Sequence, residues 1–290
     1  MPEDIVDVEA VLKLRGLFFH TSSRVRGLRA GIHKSLHKGI SPDFMEYKEY
    51  SRGDELRHID WRLYGRLDRL YVKKFEDEVN LDWCILIDRS GSMGYASRKD
   101  SKLDYAIRLS ATLAYLLLKQ GDSVGTADFS DKCVDIILPR SGTANLTHIV
   151  EKLKSLRPGG KSALKEAVLK TIERINRDSV FVLVSDFLMD LELIEESIKL
   201  IRAAGKDTIA IHVLDPDEID FNFDGSIEFE DMEDDIKVLV EAGGFRSTYR
   251  KEVGEFIQKL RFICHENRSR YVLSPSDIPI EDALIRISDK

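Results

Sequence analysis

The chain has 290 residues, 43% hydrophobic and 33% charged, with a formal net charge of −7. Those proportions describe a soluble globular protein with apolar material for a full core, as one large domain or a typical domain plus a smaller one. The acidic balance argues against a general nucleic-acid binder, and no apolar run approaches the roughly 18 residues that span a bilayer.

The N-terminus, Met1-Pro2-Glu3-Asp4, has neither the basic start nor the apolar core of a signal segment. Cys84, Cys133 and Cys264 sit in apolar surroundings without metal-type spacing, so they read as small buried hydrophobes in a reducing compartment. A cytoplasmic location is the expectation. Residues 11 to 74 hold fifteen Lys/Arg against seven Asp/Glu, a locally basic region in an acidic chain. Within it Glu46 to Tyr50 alternates, Arg52-Gly53-Asp54 turns, Glu55 to Tyr64 has partial helical periodicity, and Leu70 to Phe75 reads as a strand. Residues 1–79 are therefore predicted to form a small N-terminal α+β subdomain packed on a larger C-terminal domain.

From residue 80 onward strand and helix alternate as in a doubly wound sheet. Trp83-Cys84-Ile85-Leu86-Ile87 is a continuous apolar run, the mark of a strand buried on both faces. Leu103 to Lys119 carries helical spacing and stops at Gly121. Ser123 to Phe129 and Lys132 to Leu138 flank a Ser130-Asp131 turn, which predicts one antiparallel edge strand. Helices are expected over 145–156, 163–175 and 191–204, strands from Val180 and over 208–214, then a helix over 253–267 and a last strand at 271–273. The predicted class is α/β, a mostly parallel doubly wound sheet with one antiparallel edge strand, over residues 80–290. An insertion at about 215–241 interrupts it: Asp215 to Asp235 holds eleven acidic residues and no Lys or Arg. Alternation at Ile227-Glu228-Phe229 and over 236–240 predicts a hairpin there, either a solvated insertion or a docking surface for a basic partner.

Chemistry concentrates at the ends of the predicted strands. Asp88-Arg89-Ser90-Gly91-Ser92 follows the first apolar run directly, and ligands of open α/β sheets bind beyond the carboxyl ends of the strands. One carboxylate and two hydroxyls at alternate positions suit a hard divalent cation, though capping of a strand-to-helix turn accounts for the same residues. Ser185-Asp186 ends the Val180 strand, and Pro158-Gly159-Gly160-Lys161-Ser162 offers another hydroxyl between two helices. This pattern resembles the metal-ion-dependent adhesion site of von Willebrand factor A (vWA) domains. The resemblance implies Mg2+ (or Mn2+) surrounded by Asp88, Ser90, Ser92, Ser162 and Asp186, with Ser162 standing where that family has threonine. An alignment that puts Lys161 at this position stays open, and its ammonium would oppose a metal.

A second resemblance covers most of the chain. Glu46 to Glu76, with the core Arg52-Gly53-Asp54-Glu55-Leu56-Arg57-His58-Ile59-Asp60-Trp61, and upstream Arg26 to Gly31, are similar to the signature of the bacterial "domain of unknown function 58" family. That family joins the signature to an A-type domain, and many members begin with two membrane helices that this chain does not show. Its genes often accompany MoxR-type AAA+ ATPases, so the resemblance implies such a partner. Within the signature, Arg52, Asp54, Arg57, Asp60 and Arg62 read as an ion-pair network of bidentate guanidinium–carboxylate contacts anchored by Trp61, or, together with Trp61, as a partner-binding surface rich in Arg and aromatics.

The expected function is a non-enzymatic, metal-dependent protein–protein interaction module. The cation would accept a carboxylate from a protein ligand, and the chain would serve as adaptor or scaffold for the ATPase. The alternative is a phosphoryl-transfer or hydrolytic enzyme using Asp88 and Asp186, for which no poised base is evident. Gly160-Lys161-Ser162 echoes a P-loop ending, but Ser155 stands where the motif needs glycine and the preceding stretch is helical. Among His20, His33 and His37, intervening glycines break any common helical face, so zinc is not expected.

Overall fold

The computed structural model describes residues 5–14, 16–19, 43–51, 59–76, 80–131, 133–175, 178–223, 225–230 and 237–288. They fall into two compact units, Arg24–Asn80 and Met1–Ser23 with Leu81–Lys290. In chain order the elements begin with α1 (Val8–Lys13), β1 (Asp43–Glu49), α2 (Trp61–Leu67), β2 (Tyr71–Glu76), β3 (Asp82–Asp88), α3 (Lys102–Lys119), β4 (Ser123–Ser130) and β5 (Cys133–Arg140). They continue with α4 (Thr143–Ser155), α5 (Leu164–Arg174), β6 (Ser179–Ser185), α6 (Leu191–Ala203), β7 (Asp207–Leu214) and α7 (Pro216–Asp220). Last come β8 (Ser226–Glu230), β9 (Lys237–Glu241), α8 (Ala242–Glu266), β10 (Arg270–Pro275) and α9 (Ile280–Ser288).

The larger unit is built on a six-stranded sheet in the order β10-β7-β6-β3-β4-β5. Every neighbouring pair is parallel except β4 and β5, the antiparallel edge. β3 and β6 are buried along their whole length, as their unbroken branched sequences require. Alternate residues feed two cores: Ile85 and Ile87 join one, Cys84 and Leu86 the other. From β3 the chain winds outward through β4 to β5, and from β6 outward through β7 to β10. The strand order therefore reverses between β3 and β6, which opens a crevice beyond their carboxyl ends.

Three parts of this unit depart from the sequence expectation. Residues 5–14 and 16–19 belong here rather than to an N-terminal subdomain spanning 1–79. Ala10, Leu14 and Phe19 enter the core, the Asp7 N–H donates to Thr112 Oγ1 at 2.9 Å, and Phe19 meets Trp83 edge-on at 6.4 Å. The unforeseen α9 buries Ile280, Ala283, Leu284 and Ile287, one face at helical spacing. α8 starts at Ala242, well before residue 253, because Gly243 and Gly244 are tolerated inside it.

Gly125 in β4 has no room for a side chain. A Cβ there would meet Ile137 O at 2.4 Å and Pro139 N at 2.7 Å, both backbone atoms of β5. Gly125→Ala should therefore cost about 2–3 kcal/mol through forced strand displacement. An unchanged thermal midpoint would show that the β5 edge yields freely.

In the smaller unit β1 and β2 pair antiparallel, with a register shift between Phe44 and Glu46. α2 begins at Trp61, where Asp60 caps it: Oδ1 accepts the N–H groups of Arg62 and Leu63 at 2.9 and 3.1 Å, while residues 55–58 of the expected helical stretch lie outside the described residues. β8 and β9, from the acidic insertion, also pair antiparallel. Among the described residues no helix is long and apolar enough to cross a membrane.

Candidate metal centre

Asp88, the last residue of β3, is wholly buried at the mouth of the crevice. Its Oδ1 accepts the Ser90 N–H at 2.9 Å, the side-chain turn that Asp favours when a strand ends. Its Oδ2 accepts two hydroxyls, Ser162 at 2.8 Å and Ser185 at 2.7 Å. Ser185 Oγ in turn accepts the Phe187 N–H at 2.8 Å, so its proton is directed at Asp88. The Ser90 and Ser92 hydroxyls lie 3.1 Å apart at the start of the 3-10 turn Gly91–Gly94.

The glycine loop before α5 is fastened to this turn. The Gly159 N–H donates to Arg89 O and the Gly91 N–H to Gly160 O, both at 2.8 Å. Gly160 has φ 80°, and a Cβ there would lie 1.9 Å from Asp131 Oδ1, so glycine is required. This docking settles which residue of the loop faces the site. Ser162 reaches Asp88, while Lys161 is exposed and its carbonyl accepts the Asp131 N–H.

Asp186 follows β6 and is also buried. Its Oδ1 accepts the Leu188 N–H at 3.2 Å, and its Oδ2 accepts the Lys102 ammonium at 2.7 Å. Lys102, wholly buried at the first position of α3, also donates to Glu218 Oε1 at 2.6 Å. Glu218 Oε2 accepts the Asp215 N–H at 2.8 Å in the capping box that opens α7, and Asp215 Oδ2 accepts the Ser97 N–H at 3.0 Å. At the start of the acidic insertion Asp215 and Glu218 are thus turned inward, while Asp220 stays exposed. Residues 231–236 of that run lie outside the described residues.

Sequence reasoning missed Ser185, Lys102 and Glu218. Ser185 was visible beside Asp186, and Asp215-Pro216-Asp217-Glu218 spells a capping box with proline at N1. Nothing local marks Lys102, since a lysine one residue past a Ser cap reads as solvent-facing.

The electrostatics leave an unmet charge. Burial, and then the charge of Asp186, push the Asp88 carboxyl up to about 6, against weaker pulls from Ser185, Ser90 and Ser162. For Lys102 burial acts downward, but the carboxylates of Asp186 and Glu218 outweigh it and hold the ammonium above its ordinary value. Asp186 and Glu218 share one ammonium and Asp88 has no cationic partner among the described residues, so these four groups carry an excess of two negative charges. No three His, Cys, Asp or Glu side chains among the described residues form a metal-holding group. A cation here would be held by hydroxyls and at most two carboxylates. All these donors are hard oxygens, and the excess charge equals that of one divalent ion, so the residues fit Mg2+ or Mn2+.

Of the residues expected to bind a partner, Arg52, Asp54 and Arg57 lie outside the described residues. Asp60 serves its own helix and accepts the Tyr47 hydroxyl at 3.0 Å. Trp61 is 64% exposed, edge-on to Tyr64 at 6.2 Å, and Arg62 is exposed beside it.

The sequence pattern of the family described as "Protein of unknown function DUF58" matches residues 46–256, most of the chain. The chain belongs to this family. Uncharacterized proteins of Mycobacterium tuberculosis and Mycobacterium bovis are 23% identical to this DUF58 chain over 234 residues, 79% of it and 73% of their own length. An aerotolerance-related membrane protein of Bacteroides fragilis, of known structure, is 17% identical, with 72% of this chain and 98% of that one covered and a TM-score of 0.49. A vWA protein of Catenulispora acidiphila is 11% identical, covering 75% of this chain and 42% of that one, with a TM-score of 0.43. The sheet order with its single antiparallel pair makes the larger unit of this DUF58 protein vWA-like.

Proposed function

We propose that this DUF58 protein is a non-enzymatic, Mg2+- or Mn2+-dependent protein-binding module, an adaptor or scaffold for a MoxR-type AAA+ ATPase. One observation carries the reading: Asp88 is an ionisable carboxylate wholly buried among hydroxyls with no cationic partner among the described residues. A bound divalent ion would supply a positive, oxygen-seeking position for a carboxylate of a protein ligand. Asp88, Ser90, Ser92 and Ser162 would hold it, with Asp186 acting directly or through water. Neutral hydroxyls leave most of the ion's charge available for that contact.

The same side chains argue against an enzyme. Asp88 accepts hydrogen bonds on both oxygens, and Lys102 engages Asp186 and Glu218, so neither Asp88 nor Lys102 is free to serve as a general base. The ATPase partner rests on the family resemblance.

Purified MoxR-type ATPase from the same genome should be captured by the intact chain in Mg2+, not in chelator, and not by Asp88→Ala. Equal capture by Asp88→Ala would place the contact elsewhere. Phosphoester turnover that vanishes with Asp88→Ala would make the protein an enzyme.

A further inference from the structure

We infer that Lys102 is a built-in competitor for the divalent ion. Its ammonium holds Asp186 when the ion is absent, and Glu218 keeps it neutralised when the ion claims Asp186. The inference rests on the metal reading above and concerns how that site is regulated.

Two costs make this lysine's placement informative. It is wholly buried, which penalises its charge, and it stands at the N-terminus of an 18-residue helix, where the backbone dipole disfavours a cation. Only the contacts to Asp186 and Glu218, at 2.7 and 2.6 Å, offset both. A residue needed for packing alone would be apolar here.

The position is fixed. The Ser101–Asp104 capping box locks the first turn of α3, so the stem of Lys102 starts from a set point. Glu218 is held without Lys102, because its other oxygen closes the α7 capping box. It therefore remains in place to receive the ammonium if Asp186 is withdrawn. Among the described residues the remaining oxygen of Asp186 accepts the Leu188 N–H alone, so a cation bound near Asp88 and Lys102 Nζ would draw on one carboxylate.

The test is Mn2+ affinity of the full chain by titration calorimetry, with Mg2+ as competitor. Lys102→Met should bind Mn2+ at least tenfold more tightly, about the effect of removing one charge-assisted contact. Glu218→Gln should bind it several-fold more weakly, because the ammonium then depends on Asp186 alone. Lys102→Met leaves buried carboxylates without a counterion and can fold poorly, so the double variant Lys102→Met/Glu218→Gln is measured beside it and should also gain at least tenfold. Mn2+ binding by the parent that neither Lys102 variant strengthens would overturn the competitor role and leave the metal site standing. No binding by any of the four proteins at millimolar Mn2+ would overturn both.

Discussion

Asp88→Asn should raise the thermal midpoint of the metal-free protein at pH 7.5 and abolish its response to Mg2+. The sign follows from the carboxyl being pushed up to about 6 from its ordinary 3.8, by burial and by Asp186. Folding disfavours the ionised form, so above pH about 6 the charge costs stability. As pH falls from about 6 towards 4 the folded state takes up the proton first, and that cost is recovered. A difference of about two pKa units corresponds to roughly 3 kcal/mol, or a rise of several degrees for the neutral variant. Asparagine can keep the geometry: its Oδ1 can accept the Ser90 N–H, and its amide can donate to the Ser162 and Ser185 hydroxyls, which rotate to suit. Saturating Mg2+ should stabilise the parent by mass action and leave Asp88→Asn where it was. A lower midpoint for Asp88→Asn at every pH would make Asp88 a structural residue. A residue whose removal stabilises the fold while ending a binding response is one kept for function.

Asp122, just before β4 and beside the start of β3, at the opposite edge of the sheet from Asp88, should behave in the opposite way. Its Oδ1 accepts the Leu81 N–H at 3.0 Å, and its Oδ2 accepts Trp83 Nε1 at 3.1 Å and Gln120 Nε2 at 3.2 Å. Asp122→Ala leaves two buried N–H donors at the entry to β3 without their acceptor. Each orphaned donor costs about 1–3 kcal/mol, so a loss near 4 kcal/mol and a midpoint lower by roughly 10 °C are expected. Mn2+ affinity of the folded fraction should stay within about twofold, since the change lies at the entry to β3 and Asp88 at its far end. Thermal melts of both variants beside the parent check the contrast. A stable Asp122→Ala would mean that water or Gln120 takes over the two donors.

The sequence made one part of the site legible because strand ends write themselves into it. Trp83 to Ile87 and Val180 to Val184 are unbroken buried runs, so the oxygen-bearing residues after each had to stand at the sheet's carboxyl edge. Ser162 needed the loop as well: Gly160 with its positive φ and the two backbone bonds to Arg89 and Gly91 turn its hydroxyl, not the Lys161 ammonium, toward Asp88. Lys102 and Glu218 were illegible because their meeting joins the start of α3 to the short helix after β7, 116 residues apart. No local period encodes a contact of that kind. α1 and α9 were missed for a related reason: six and nine residues are too short for periodicity to declare, and their burial comes from packing against α3 and each other.

The most direct measurement is an anomalous difference map from crystals of the full chain soaked in Mn2+. A single strong peak is expected within coordination distance of Asp88 Oδ2 and the Ser90, Ser92 and Ser162 hydroxyls, vanishing in Asp88→Asn crystals treated identically. A map without a peak there, with Lys102 still on Asp186 and the serine hydroxyls still turned onto Asp88, would contradict the assignment of this crevice as a metal centre.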